Sequence, residues 1–158
     1  MEIPSPFVVL PDTGQLSLYG FHTRFGPRLR LPEFQESDIF PFAVRVTHFP
    51  EYDPGYQIDS ITLEDGRWAY IFVGFQEGTL VRLGFGWGML REYGFHELTP
   101  PEFQQQLRSY KAWLESALGP SLPCCLPISY SQEFRWGKIE ASTDRRTNLT
   151  GIGIWFNR

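Results

Sequence analysis

Few residues in this chain could do chemistry, and they are scattered. His22, His48 and His96 are its three histidines. A metal would need them gathered with a carboxylate or a thiolate, and no two stand at the i, i+4 spacing that puts two ligands on one helix face. Cys124 and Cys125 are adjacent, so a disulfide between them would be strained. They follow the C-terminus of a predicted helix, whose negative dipole end opposes a thiolate, and read as small buried apolar residues of a reduced protein. Gly84-Phe85-Gly86-Trp87-Gly88 has the first two glycines of a dinucleotide loop. Met89 stands where the third glycine would be, and no helix follows directly. Strand bulges or a tight corner account for these glycines better, with a groove where Phe85 and Trp87 meet a ligand as the second reading.

Charge is the feature with the clearest direction. Residues 33 to 77 hold nine acidic side chains (Glu33, Glu36, Asp38, Glu51, Asp53, Asp59, Glu64, Asp65 and Glu77) against Arg45 and Arg67, a net charge of −7. The rest of the chain carries +3. Such a block predicts a negative field that speeds encounter with a basic protein and repels nucleic acid and anionic lipid. Arg24, Arg28 and Arg30 could grip a phosphate, but three arginines in a chain of pI about 5.4 make a poor nucleic-acid footprint. The expected partner-binding residues are the carboxylates of Glu33, Glu36, Asp38, Glu51 and Asp53, which would steer and pair with lysine or arginine. Phe34, Phe49 and Tyr52 would be the anchors, because they lie in turn-rich acidic stretches where aromatics have less reason to be core.

These residues must be positioned by a sheet and a helix. The helix is the clearest element, from about Thr99 to Leu118. Thr99 can cap it, Pro100 suits its first position and Glu102 completes a capping box. Gly119 can close it in the left-handed conformation, and Pro120 stops it. Phe103, Leu107, Tyr110, Leu114, Ala117 and Leu118 form one apolar stripe, with Trp113 at its edge. Around the helix the chain reads as strand. Phe7 to Leu10 and Leu16 to His22 flank a turn at Pro11-Asp12-Thr13-Gly14, and Pro41 to His48 alternates. Gln57 to Glu64, Arg67 to Phe75 and Thr79 to Phe85 form a meander through Asp65-Gly66 and Gln76-Glu77-Gly78. Trp68 to Val73 is apolar on both faces, as in a central strand covered on both sides. Glu133 to Glu140 and Thr147 to Phe156 read as a final pair. The fold class expected is α+β: a mostly antiparallel, twisted sheet packed by one main helix.

At 158 residues and 42% hydrophobic content, one domain spanning 1–158 is expected, with an ample core. No apolar run reaches the roughly 20 residues of a membrane span. The N-terminus lacks a basic start before an apolar run, so no secretory signal is expected and the chain reads as cytoplasmic. No cofactor is expected. With no catalytic set legible, the favoured function is a non-enzymatic binding protein with a basic protein partner. In character the chain resembles the small single-domain immunity proteins of bacteria, which neutralise a toxin by occluding its active site; the resemblance is one of class, with no motif behind it. The alternative is a small-molecule binder or enzyme with an aromatic pocket between helix and sheet, whose polar groups would be Arg82, Tyr93 and His96.

Overall fold

The computed structural model describes residues 5–63, 66–89, 100–119, 122–123, 129–144 and 149–157. An N-terminal layer comes first. Strands β1 (Phe7–Val9), β2 (Leu16–Leu18) and β3 (Arg24–Phe25) form a small antiparallel sheet in that order. A five-residue helix, α1 (Leu31–Gln35), and a 3-10 turn at Phe40–Phe42 follow. The main sheet is built from β4 (Val44–Val46), β5 (Gly55–Thr62), β6 (Arg67–Gln76) and β7 (Thr79–Met89). The main helix α2 (Pro100–Leu118) comes next, then β8 (Leu122–Pro123), β9 (Ser129–Phe134), β10 (Gly137–Asp144) and β11 (Leu149–Phe156). Its eight strands run in the order β4-β5-β6-β7-β11-β10-β9-β8, and every pair is antiparallel.

The meander is present as β5-β6-β7, and its second turn has a clear cause. Glu77 and Gly78 have φ of 53° and 78°, so both central residues of this two-residue connection are left-handed, which matches the twist of a hairpin. The join between β7 and β11 is not local: the last strand inserts beside the third strand of the meander, pairing Phe85 with Ile152 and Leu83 with Ile154.

Alternation divides the sheet into two faces. The first carries Ile58, Ala69, Ile71, Val73, Leu83, Phe85, Trp87, Ile139, Ala141, Ile152 and Ile154, all buried. The stripe of α2 lies on it, with Leu107, Tyr110 and Leu114 buried. Trp113 meets Phe85 and Trp87 edge-on at 5.8 and 5.3 Å. The helix does not cover this face alone. Phe7 of β1 packs on Phe85 at 4.7 Å, and Phe34 of α1 packs on Tyr56 and Phe75 at 5.3 and 5.5 Å. The fold is therefore strand-dominant, with one main helix and an N-terminal layer sharing one face.

Several boundaries depart from the sequence reading. Pro41 to His48 gives only the three residues of β4, because the 3-10 turn claims Phe42. Glu133 to Glu140 is not one strand: Arg135 and Trp136 make a hairpin turn between β9 and β10. The glycines at 84, 86 and 88 mark neither corner nor bulge. They sit in register within β7, opposite Phe72, Tyr70 and Trp68, so their role is on the sheet's second face. Helix α2 begins at Pro100 as read, and Gly119 closes it at φ 94°, donating its N–H to Glu115 O at 2.8 Å. The Thr99 cap, Pro120, Glu64 and Asp65, Tyr93, His96, Cys124 and Cys125 lie outside the described residues.

Candidate functional site

The loop between β4 and β5 brings together part of the predicted set. Phe49 is 41% exposed and leans on His48 and Phe72, with ring centroids 4.3 and 5.1 Å apart. Tyr52 crosses β6 at Gly74, where a Cβ would stand 2.7 Å from its ring. The loop is tied to the end of β6: Asp53 N donates to Phe75 O at 2.9 Å, and Gln76 Nε2 donates to Glu51 O at 2.9 Å. The same end of the sheet holds the β6–β7 turn with exposed Glu77. Leu31 N donates to Gly78 O at 2.9 Å, which ties the start of α1 to that turn. Glu36, Glu51 and Glu77 are exposed and have no side-chain partner among the described residues.

Other members of the set are committed elsewhere. Phe34 is fully buried. Helix α1 turns it inward among Phe25, Phe40, Tyr56 and Phe75, so it is core and not an exposed anchor. Glu33 Oε1 accepts the Arg30 N–H at 3.2 Å, a local cap. Asp53 pairs with Arg45 at 2.9 Å with both side chains exposed, an interaction worth well under ~1 kcal/mol. Asp38 accepts the N–H groups of His22 and Thr23 at 2.6 and 3.0 Å and the Thr23 hydroxyl as well. Partial burial would raise its pKa, but these hydrogen bonds outweigh that and hold the carboxyl below its usual range. Arg24, Arg28 and Arg30 are exposed nearby, so the charge at this end of the molecule is mixed.

Residues that the sequence reading passed over extend the exposed apolar surface. Phe42 and Val44 are 57% and 66% exposed. Val44 and Val46 alternate onto the second face of the sheet, beside Gln57 and Gly55 of β5. Period-2 alternation had marked this stretch as apolar, yet it cannot say that a three-residue edge strand leaves that side uncovered.

The second face continues across the sheet as a layer of flat side chains over glycines. Tyr70 lies where a Cβ on Gly86 would meet its ring at 2.6 Å, and Trp68 lies likewise at 2.7 Å over Gly88. Trp68 and Tyr70 stack at 6.0 Å. Burial pushes the Tyr70 phenol up to about 12, with Arg82 opposing. Arg82 lies over Gly153 and stacks on Trp155, its guanidinium carbon 3.9 Å from the ring centroid. Lys138 Nζ is 5.2 Å from the same centroid and pairs with Glu140 at 3.0 Å. The i, i+2 glycines at 84, 86 and 88 and at 151 and 153 were the signal for this face: a strand with a hydrogen atom at every second position needs flat neighbours to cover it.

The space between α2 and the sheet is not a pocket at the described residues. Trp87, Tyr110, Trp113 and Phe85 fill it. Tyr110 OH donates to Trp87 O at 2.7 Å and accepts Trp87 N–H at 2.9 Å, in the stretch of β7 beyond its pairing with β11. Phe85 and Trp87 are therefore core, not ligand-facing, and Arg82 points to the opposite face. Among the described residues no group of His, Cys, Asp or Glu could hold a metal ion, and no helix is long and apolar enough to cross a membrane.

No protein-family model matches the chain, and comparison with curated proteins gives no match. Among solved structures, the fold is similar to a chain in the structure of Rhs1-CT in complex with cognate immunity protein RhsI1. The match has a TM-score of 0.54 and 15% sequence identity, and covers 96% of this chain and 87% of that one.

Proposed function

We propose that this chain is a non-enzymatic binding protein of the immunity type, which neutralises a basic toxin or enzyme by covering its active site. The observation that carries the reading is the fold likeness to a chain of an immunity-protein complex over nearly the whole of both chains. The exposed Phe49–Asp53 loop supports it, since it offers an aromatic anchor beside the Glu51 carboxylate, which has no side-chain partner among the described residues. Phe42 and Val44 widen the apolar part. Glu36, Glu51 and Glu77 supply the steering charge, while Phe34 and Asp38 serve the fold. Anchors of this kind set the dissociation rate, and peripheral charges set the association rate.

The test uses the protein encoded beside this chain as the candidate partner. Co-expression should rescue cells from that protein's activity, and the two should form a stable complex. Replacing Glu36, Glu51 and Glu77 together by Lys should slow association roughly tenfold at low salt and flatten its salt dependence. Phe49→Ala should instead speed dissociation by about tenfold or more. Unchanged rates in both variants would remove the loop from the interface; absence of both rescue and binding would remove the immunity reading itself.

A further inference from the structure

We propose that the protein partner docks on the outer edge of β4, adding a short extended segment to the eight strands of the main sheet. The inference rests on the immunity-type reading and names the partner's mode of attachment. β4 ends the strand order, so one side of it has no neighbouring strand among the described residues. The register fixes which groups point there. Phe75 N–H donates to Pro54 O at 3.0 Å, and Leu63 N–H donates to Arg67 O at 2.8 Å. The odd-numbered residues of β6 therefore turn their main-chain groups toward β5. Val73 is one of them, so it bonds Tyr56. Tyr56 also stands opposite Arg45, but its N–H and C=O are already engaged by β6. Those of Arg45 then point outward, while Val44 and Val46 bond Gln57 and Gly55 of β5.

The other edges of the two sheets are blunted. β8 carries Pro123, β3 has two residues, and the Ser5 hydroxyl engages both the N–H and the C=O of Phe7 in β1. β4 has no proline, no lysine and no bulge, and its one charged side chain, Arg45, is paired with Asp53 at 2.9 Å. The neighbouring side chains suit an added strand: Val44 is 66% exposed, and Phe42 and Phe49 are 57% and 41% exposed. The occupant is a segment of a basic protein with β-branched or aromatic residues two apart, which lie beside Val44 and Val46 on the second face. A lysine or arginine on the Val46 side of that segment faces the Phe49–Asp53 loop, where Glu51 has no side-chain partner among the described residues. A second copy of this chain fits worse. Antiparallel pairing about a two-fold axis at β4 would set Arg45 against Arg45, between chains that each carry a net charge of −4.

The test uses the full chain and the protein encoded beside it. Hydrogen exchange followed by NMR reads the Arg45 N–H directly. In the free chain it should exchange as an open amide, and in the complex it should slow about a hundredfold or more. Arg45→Pro and Arg45→Ala remove the same side chain, but only the first removes the N–H. Arg45→Pro should therefore weaken binding roughly tenfold more than Arg45→Ala does. The exchange measurement is made on the wild-type chain, so it decides the matter if Arg45→Pro does not fold. A complex that forms and rescues cells while the Arg45 N–H stays fast would overturn this docking mode and leave the immunity reading standing. Equal loss of binding in the two variants would do the same. Absence of both rescue and binding would overturn both. Slow Arg45 exchange in the free chain, together with a dimer in sedimentation, would also overturn the proposal and give the edge to a second copy.

Discussion

Asp38 belongs to an acidic stretch and is exposed by residue area, yet its carboxylate is turned inward. It accepts two backbone N–H groups and a hydroxyl from His22 and Thr23, and so pins the end of the N-terminal layer to the turn before β4. Its folded pKa lies below the ordinary value. The stability it contributes is therefore present above the unfolded pKa of about 4 and is lost as pH falls through the lower folded value. Asp38→Asn keeps one acceptor oxygen and presents an N–H group where the other oxygen stood. At pH 7 it should destabilise by about 1 kcal/mol, discounted for solvent screening. Denaturant unfolding at several pH values checks this: the gap between the Asp38→Asn variant and wild type should close below about pH 4, and a gap independent of pH would refute the assignment. Phe34 teaches the complementary lesson. Its acidic neighbours suggested a surface anchor, but one turn of helix with exposed Pro32, Glu33, Gln35 and Glu36 needs one residue to hold it down, and Phe34 is that residue.

At the scale of elements, what was legible in the sequence was local. The ends and stripe of α2 were marked by Pro100, Gly119 and the Leu107–Tyr110–Leu114 spacing. The hairpins of the meander were marked by their turns, because these signals act within a few residues. The insertion of β11 beside β7 was not legible, since no local rule selects a partner so distant along the chain. For the same reason the glycines of β7 looked like interruptions. Their purpose depends on Tyr70, Trp68 and Tyr110, which approach only after pairing and helix docking. Gly86 lies where both layers meet: an added Cβ would stand 2.6 Å from the Tyr70 ring and 2.8 Å from the Tyr110 hydroxyl. Gly86→Ala should destabilise by about 1–3 kcal/mol, although alanine has the better intrinsic strand entropy. The Tyr110 bonds to Trp87 should loosen with it. Faster hydrogen exchange at Trp87 N–H would register that coupling; wild-type stability and exchange would show that the aromatic layer gives way freely.

At the scale of the whole molecule, the candidate site was half legible: the Phe49–Asp53 loop could be read from charge and turn residues, while the open edge of β4 depends on how β5 pairs with β6 and exists only in three dimensions. The core has the same character. Phe7 touches Phe85 and Trp87, Trp87 touches Tyr110 and Trp113, and Trp136 reaches back to Pro11 O through its indole N–H at 2.8 Å. Contacts therefore run without a break from the N-terminal layer through the sheet to α2 and to the β9–β10 turn. Among the described residues neither the three-stranded sheet nor α2 has a separate core, since each buries its apolar side in the same cluster. One cooperative unfolding transition is expected as a result. Tryptophan fluorescence, dominated by the sheet and the α2 interface, and far-UV circular dichroism should give coincident denaturation curves. Phe7→Ala, at the junction of the two layers, should shift both together by about 3–5 kcal/mol. A variant that loses the N-terminal layer in a separate early step, with the α2–β7 contacts intact, would divide the chain into two folding units.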